Sequence, residues 1–103
     1  MKTEKFFAVV EETEIKESSA GKPYRRLVLK VPAFIDQFTQ QKRGVDQFFE
    51  GLIFSPTLEN LPAPNYGQMV ECQGYINGSR TFTEKGQTFY KTMFSITELR
   101  IVK

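Results

Sequence analysis

The chain has 103 residues, 40% of them hydrophobic and 25% charged, so we predict a single domain, residues 1–103, with one modest core. Its net charge of +2 is too small to indicate nucleic-acid binding by itself, and it lacks histidine, the commonest general base. No apolar run approaches membrane-spanning length and the N-terminal segment lacks the apolar centre of a signal peptide, so we predict a cytoplasmic protein with no membrane partner.

Five segments show the alternation and the β-branched and aromatic content that are typical of strands. They are residues 6–15, 24–31, 48–54, 68–76 and 88–96.

The connections between the first three predicted strands differ in composition. Residues 18–23, SSAGKP, have the glycine and proline of a turn. Residues 33–47 are polar and rich in Gln, which is compatible with a mobile loop or with a helical turn around Phe34, Ile35 and Phe38.

The later connections are predicted to be a short helix and a hairpin arm. Leu58 and Leu61 have helical spacing within residues 57–67, before two prolines end any helix. Residues 77–87 read as a hairpin arm because they contain two turn signals, Asn77-Gly78 and Lys85-Gly86.

Five strands with a short helix or loop between the third and the fourth are the element order of an OB-fold barrel. Closing the sheet removes the unpaired edges that an open five-stranded sheet would expose. We therefore predict an all-β protein with this barrel as its only domain.

The period-two alternation of each strand divides its side chains between an inner and an outer face. The inner set is predicted to include Cys72, as a small buried residue, together with Leu27, Leu29, Val31, Phe49, Ile53, Val70, Ile76, Tyr90, Phe94 and Ile96.

The outer face of the second and third strands is unusually aromatic. It carries Tyr24, Phe48 and Phe54, interleaved with Arg26 and Lys30. Exposed rings offer stacking platforms to unpaired bases, and cations between them can neutralise phosphates. An equally simple interpretation is that residues 33–47 or a second subunit covers the rings, because exposed apolar patches commonly mark interfaces.

The second half of the chain, from Tyr66 to Ile96, resembles the bacterial single-stranded DNA-binding protein family. That family has a Gly-x-x-Val-x-x-x-Gly spacing on its fourth strand, which Gly67, Val70 and Gly74 meet. The run continues, as in the family, into a hairpin with an aromatic, an acidic-Gly turn and a Tyr-containing return strand.

The resemblance implies specific stacking residues. The family has two base-stacking aromatics six residues apart on the third strand, a spacing that Phe48 and Phe54 share. A third stacking aromatic on the hairpin is matched by Phe82 after one extra residue, and Phe34 or Phe38 is a candidate for a fourth. Phe replaces the family's stacking Trp throughout.

The chain also departs from the family's familiar members, which end in a flexible tail with an acidic tip that recruits other proteins. Residues 99–103, LRIVK, give a basic end instead, so we expect no partners recruited through such a tail. Short, tail-less proteins of similar kind are the primosomal replication accessory protein and the filamentous-phage single-stranded DNA-binding proteins. A phage, plasmid or mobile-element protein would suit this compact form.

The predicted function is non-catalytic, largely sequence-independent binding of single-stranded DNA, with RNA as an alternative ligand, in replication, recombination or transfer. The alternative is an OB-fold protein–protein interaction module whose aromatic face is an oligomer or partner interface. We predict no enzymatic activity, no cofactor and no metal, and a homodimer or homotetramer that extends the short track of one barrel. The predicted nucleic-acid-binding residues are Tyr24, Phe48, Phe54 and Phe82 for stacking and Arg26, Lys30, Arg80 and Lys85 for phosphates.

Overall fold

The computed structural model describes residues 1–35, 39 and 41–102, and within them it contains seven strands and one short helix. These elements are β1 (Phe6–Glu17), β2 (Pro23–Val31), β3 (Phe34–Ile35), β4 (Lys42–Arg43), β5 (Gln47–Phe54), α1 (Thr57–Asn60), β6 (Met69–Phe82) and β7 (Thr88–Ile101).

Five of the strands close into a barrel in the order β1-β2-β5-β7-β6. Neighbouring strands are antiparallel except β5 and β7, which are parallel and pair only through Gly51 with Phe94 and Leu52 with Ser95. The helix α1 lies between the third and fourth barrel strands in chain order. The predicted five-stranded barrel with a short intervening helix is thus confirmed.

The core follows from the alternation of the strands. The side chains at the centre of the barrel are fully or almost fully buried, while Leu58 and Leu61, in and just after α1, pack against them. Burial, and secondarily the nearby Glu71 carboxylate, raises the pKa of the Cys72 thiol to about 12. The buried set is Ala8, Val10, Leu27, Leu29, Ile53, Val70, Cys72, Ile96 and Leu99.

Two glycines allow the barrel strands to approach each other closely. A Cβ at Gly74 would overlap the backbone carbonyl oxygen of Ser95 on the neighbouring strand, next to a β-bulge between Gln73 and Gly74. A Cβ at Gly51 would lie 2.6 Å from the Cδ1 atom of Ile96. Bulges and glycines at such positions let a sheet bend enough to close on itself.

The arm, which consists of residues 77–93 in β6, β7 and the turn between them, is longer than predicted. β6 runs straight through Asn77-Gly78, where Gly78 faces Thr92, so the turn predicted there is wrong. The turn at Lys85-Gly86 is present, with Gly86 at φ 81°. An Asn-Gly pair makes a turn only when the flanking strands pair across it, and here β6 pairs with β7 on both sides of it.

The segment between β2 and β5 contains a small β-ribbon. Phe34 and Ile35 pair with Arg43 and Lys42 as β3 and β4, so these residues do not form the helical turn that was one of the two possibilities for this segment. Phe38, the other candidate stacking residue of this segment, lies outside the described residues.

Two aromatics assigned to the core are exposed. Phe49 is 44% exposed although it lies opposite the buried Leu29, and Tyr90 is 78% exposed on the arm. Alternation specifies the face on which a side chain lies, but burial also needs another layer over that face, and neither ring is fully covered.

The arm gives the molecule an elongated shape. The Cα radius of gyration is 16.1 Å, against about 13 Å for a typical compact domain of 100 residues. In the described part of the chain, no helix is long and apolar enough to span a membrane.

Replacing Gly74 with Ala tests the close approach of β6 and β7. We expect Gly74→Ala to lower the free energy of unfolding by about 1–3 kcal/mol, because backbone atoms must shift to admit the methyl group. Gly78→Ala is the matched control, since the same strand has open space around Gly78. Urea unfolding followed by circular dichroism measures both, and equal midpoints for the two variants would contradict the steric explanation.

Hydrogen exchange tests whether the arm is less stable than the barrel. A two-stranded ribbon without a covering layer is marginally stable in water, so we expect the amides of residues 78–82 to exchange much faster than those of residues 70–73. Both segments belong to β6, which makes the comparison internal to one strand. Similar protection along the whole of β6 would show that the arm opens only with the barrel.

Candidate nucleic-acid interface

The aromatic outer face predicted from the sequence is formed by direct pairing of β2 with β5. Tyr24 lies opposite Phe54 and Lys30 lies opposite Phe48, while Arg26 lies opposite Leu52. All five predicted residues on these two strands therefore share one face of the barrel.

The rings on this face form two platforms. The Tyr24 and Phe54 rings are in contact, with centroids 5.6 Å apart and an interplanar angle of 37°. Phe48 is 60% exposed at the other end of β5, about 20 Å away along the strand at the usual rise per residue. A single strand of nucleic acid lying along β5 would meet one platform and then the other.

Arg26 lies between the platforms and is held by two carboxylates. Its Nε donates to Glu50 Oε2 at 2.7 Å and its Nη1 donates to Glu14 Oε1 at 3.1 Å. The hydrogen bond to Glu50 is the main cause that raises the pKa of Arg26 above its usual value, with smaller contributions from Glu14 and Glu12. The guanidinium charge is thus compensated within the protein.

Lys30, at the Phe48 end of the face, also has a carboxylate partner. Its Nζ lies 3.7 Å from Asp46 Oδ2, and the other Asp46 oxygen accepts a hydrogen bond from the Ala33 amide at 2.9 Å. The alternation of β2 places both cations on this face, as predicted. Alternation within one strand gives no information about ion pairs between strands.

The arm carries a second group of rings and cations. Arg80 lies over the Phe82 ring, with its guanidinium carbon 5.0 Å from the ring centroid, and Tyr90 pairs directly opposite Arg80. Phe82 is 63% exposed, and Lys85 is exposed in the turn at the tip. Arg80, Phe82 and Tyr90 share one face of the ribbon because directly paired and alternate residues point the same way.

The cations of the arm differ from those of the barrel in their partners. Among the side chains that the structure describes, no carboxylate lies within ion-pair distance of Arg80 or Lys85. These two charges are therefore available to an external anion, whereas Arg26 and Lys30 are engaged.

An apolar cleft lies between the arm and the start of β5. Its volume is about 800 Å³, and its lining includes Phe48, Phe49, Ile76 and Thr92. The Phe6 ring forms its inner wall, in edge contact with Phe49 at a centroid distance of 6.4 Å. The cleft connects the Phe48 platform to the base of the arm face.

Phe49 and Tyr90 are the exposed rings of this region that the sequence reasoning placed in the core. Phe49 precedes the short stretch in which β5 pairs with β7, and its ring is covered only in part, by contacts that include the edge contact with Phe6. The length of the segment 68–96 could have indicated that Tyr90 is exposed, because strands this long extend beyond a small barrel.

Comparison of the sequence with protein-family models and with curated proteins finds no match. Comparison of the structure with solved structures finds many matches, several of which correspond over almost the whole chain. The Plasmodium falciparum SSB in complex with single-stranded DNA gives a TM-score of 0.66 at 15% identity, covering 99% of this chain and 94% of that one.

Two further structures have similar extents of overlap. The mitochondrial single-stranded DNA-binding protein Rim1 of S. cerevisiae gives a TM-score of 0.65 at 12% identity, covering 100% of this chain and 95% of that one. The small single-stranded DNA-binding protein of Streptomyces coelicolor gives a TM-score of 0.66 at 17% identity, covering 99% of this chain and 94% of that one. The chain thus has the OB fold, in the form that these single-stranded DNA-binding proteins share.

Proposed function

We propose that this protein binds single-stranded DNA with little sequence preference and without catalysis, in replication, recombination or transfer. The observation that carries the proposal is the series of rings from the half-buried Tyr24, in contact with Phe54, through the exposed Phe48 to the exposed Phe82 on the arm. Every base has a face that can stack on such a ring, at about 1–3 kcal/mol per base, so the arrangement suits unpaired bases of any sequence.

The ligand path that this series defines crosses both parts of the molecule. It begins at Tyr24 and Phe54, follows β5 to Phe48, passes the apolar cleft at Phe49, and continues along the Arg80 face of the arm. Duplex DNA keeps its base faces stacked internally, so rings of this kind favour single strands.

Phosphate contacts come from two classes of cation in this proposal. Arg80 and Lys85 on the arm are open to solvent and can neutralise phosphates directly. Arg26 and Lys30 on the barrel already contact carboxylates, so a phosphate must compete for them.

A homodimer or homotetramer is part of the proposal, because one barrel with a short arm offers a short track and adjoining barrels lengthen it. The rival function is a protein–protein interaction module in which the same rings are buried against another subunit or partner. The high exposure of Phe48 and Phe82 in the single chain supports a free surface and an interface equally, so the two functions need separate tests.

Titration with a deoxythymidine oligomer tests the proposed ligand. The chain has four Tyr and no Trp, so binding is followed by the quenching of Tyr fluorescence. We expect log K to fall linearly with log salt, with a slope of about −0.7 for each phosphate neutralised. Equal affinity for a duplex of the same length would contradict binding through base faces.

Substitution of Phe54 separates the two functions. We expect Phe54→Ala to weaken oligomer binding by about 5- to 150-fold, the equivalent of one lost stacking contact, without changing the mass of the protein in analytical ultracentrifugation. Phe7→Ala is the control, because Phe7 is 51% exposed but lies opposite Glu71 of β6, away from β5. Dissociation of an oligomer by Phe54→Ala with unchanged DNA affinity would favour the interaction module.

A further inference from the structure

The ion-pair network around Arg26 joins three strands at the centre of the proposed site. Glu14 on β1 pairs directly opposite Arg26 on β2, and Glu50 reaches it diagonally from β5. The Arg26 side chain is 24% exposed and those of Glu14 and Glu50 are 45% and 55% exposed, so all three can be reached from solvent.

The two carboxylates occupy two of the five N–H donors with which Arg26 could bind a phosphate. A guanidinium recognises carboxylate and phosphate oxygens through the same fork of N–H groups. Nε of Arg26 already donates to Glu50 and one N–H of Nη1 to Glu14, so a DNA phosphate that takes the bidentate fork through Nε has to replace Glu50.

The local charge balance adds to this competition. Glu12, Glu14 and Glu50 surround Arg26, and the further cation in contact with this group is Lys16, whose Nζ lies 3.6 Å from Glu14. Three carboxylates against two cations give this part of the face a net charge of −1. An anionic backbone alone is therefore not attracted to it.

The neighbouring rings offer stacking contacts to unpaired bases, whereas the charges around Arg26 do not attract the phosphate backbone. Tyr24 is two residues from Arg26 on the same face, and its ring contacts Phe54. A ligand whose unpaired bases stack on these rings gains free energy that can offset the displacement of a carboxylate. A duplex, or a single phosphate, gains nothing from the rings.

On the basis of the proposed function, we propose that Glu50 and Glu14 occupy the position of a DNA phosphate on Arg26. When a single strand binds, a phosphate replaces one of these carboxylates. These two carboxylates are then specificity-determining residues: they lower the affinity for every anion, and only ligands that also stack overcome them. The same exchange reduces the salt dependence of binding, because the charge of Arg26 is already compensated before the ligand arrives.

The test removes one carboxylate charge and measures affinity for a deoxythymidine oligomer and for a duplex of equal length. We expect Glu50→Gln to tighten oligomer binding by about two- to five-fold, the range of a solvent-exposed ion pair, and to steepen the salt slope by up to about 0.7. The duplex should gain more than the oligomer, so that the preference for single strands decreases.

Glu71→Gln is the matched control. Glu71 forms the same kind of ion pair with Arg100, at 3.3 Å, on β6 and β7, and its substitution changes the net charge by the same amount. Identical gains for Glu50→Gln and Glu71→Gln would overturn the proposal, because the effect would then be one of net charge.

A second substitution separates exchange on Arg26 from a purely structural ion pair. In an Arg26→Gln background, the gain from Glu50→Gln should disappear, since no guanidinium remains to be released. A gain that persists there would also overturn the proposal. Urea midpoints of all variants confirm that they are folded, and Glu14→Gln repeats the experiment from the opposite side of Arg26.

Failure of this proposal is distinguishable from failure of the proposed function. If neither the wild-type protein nor Glu50→Gln binds the oligomer, single-stranded DNA binding itself is wrong. If the wild type binds and Glu50→Gln behaves as Glu71→Gln does, the function stands and the carboxylate exchange is wrong.

Discussion

The shape of the molecule depends on the short parallel pairing of β5 with β7 that closes the barrel. Their parallel pairing spans only Gly51–Leu52 and Phe94–Ser95, at a point where glycine lets the strands come close. The residues before this contact on β5 and β7 do not pair with each other. The first half of β5 is left with one neighbour, and the first half of β7 leaves with β6 as the arm. The partial exposure of Phe49 follows from this short closure, whereas Phe48 lies on the outer face of the barrel.

The charged side chains of the candidate site have different partners on the barrel wall and on the arm. On the barrel wall, where β1, β2 and β5 are tightly paired, cross-strand neighbours are close enough for Arg26 and Lys30 to contact carboxylates. On the arm, where two strands stand alone, Arg80 has a ring beneath it. Aromatic surface is common to both parts, and Arg80 and Lys85 of the arm have no carboxylate partner among the described side chains.

Much of the fold could be predicted from the sequence because alternation and turn residues are local signals. The alternation of residues 24–31 and 48–54 placed Tyr24, Arg26, Lys30, Phe48 and Phe54 on one face, and the structure places them there. The ion pairs of Arg26 could not be predicted in the same way, because they depend on the register between strands far apart in the chain. Glu14 and Glu50 become neighbours of Arg26 only through the pairing of β1 and β5 with β2.

The exposure of Phe49 and Tyr90 was mispredicted for a related reason. Periodicity reports which residues share a face, whereas burial depends on whether another element covers that face. The short contact between β5 and β7 is a tertiary contact, and no local sequence pattern in either strand predicts where it begins and ends.

The burial of Cys72 makes the molecule convenient to label. The chain has no other cysteine, and this thiol is enclosed in the core and protonated well above neutral pH. A maleimide dye added at pH 7 would therefore attach only to a cysteine introduced on the surface, for example in place of Thr88 on the arm. One fluorophore per molecule could then report the distance between the arm and a labelled ligand while the native thiol stays in place.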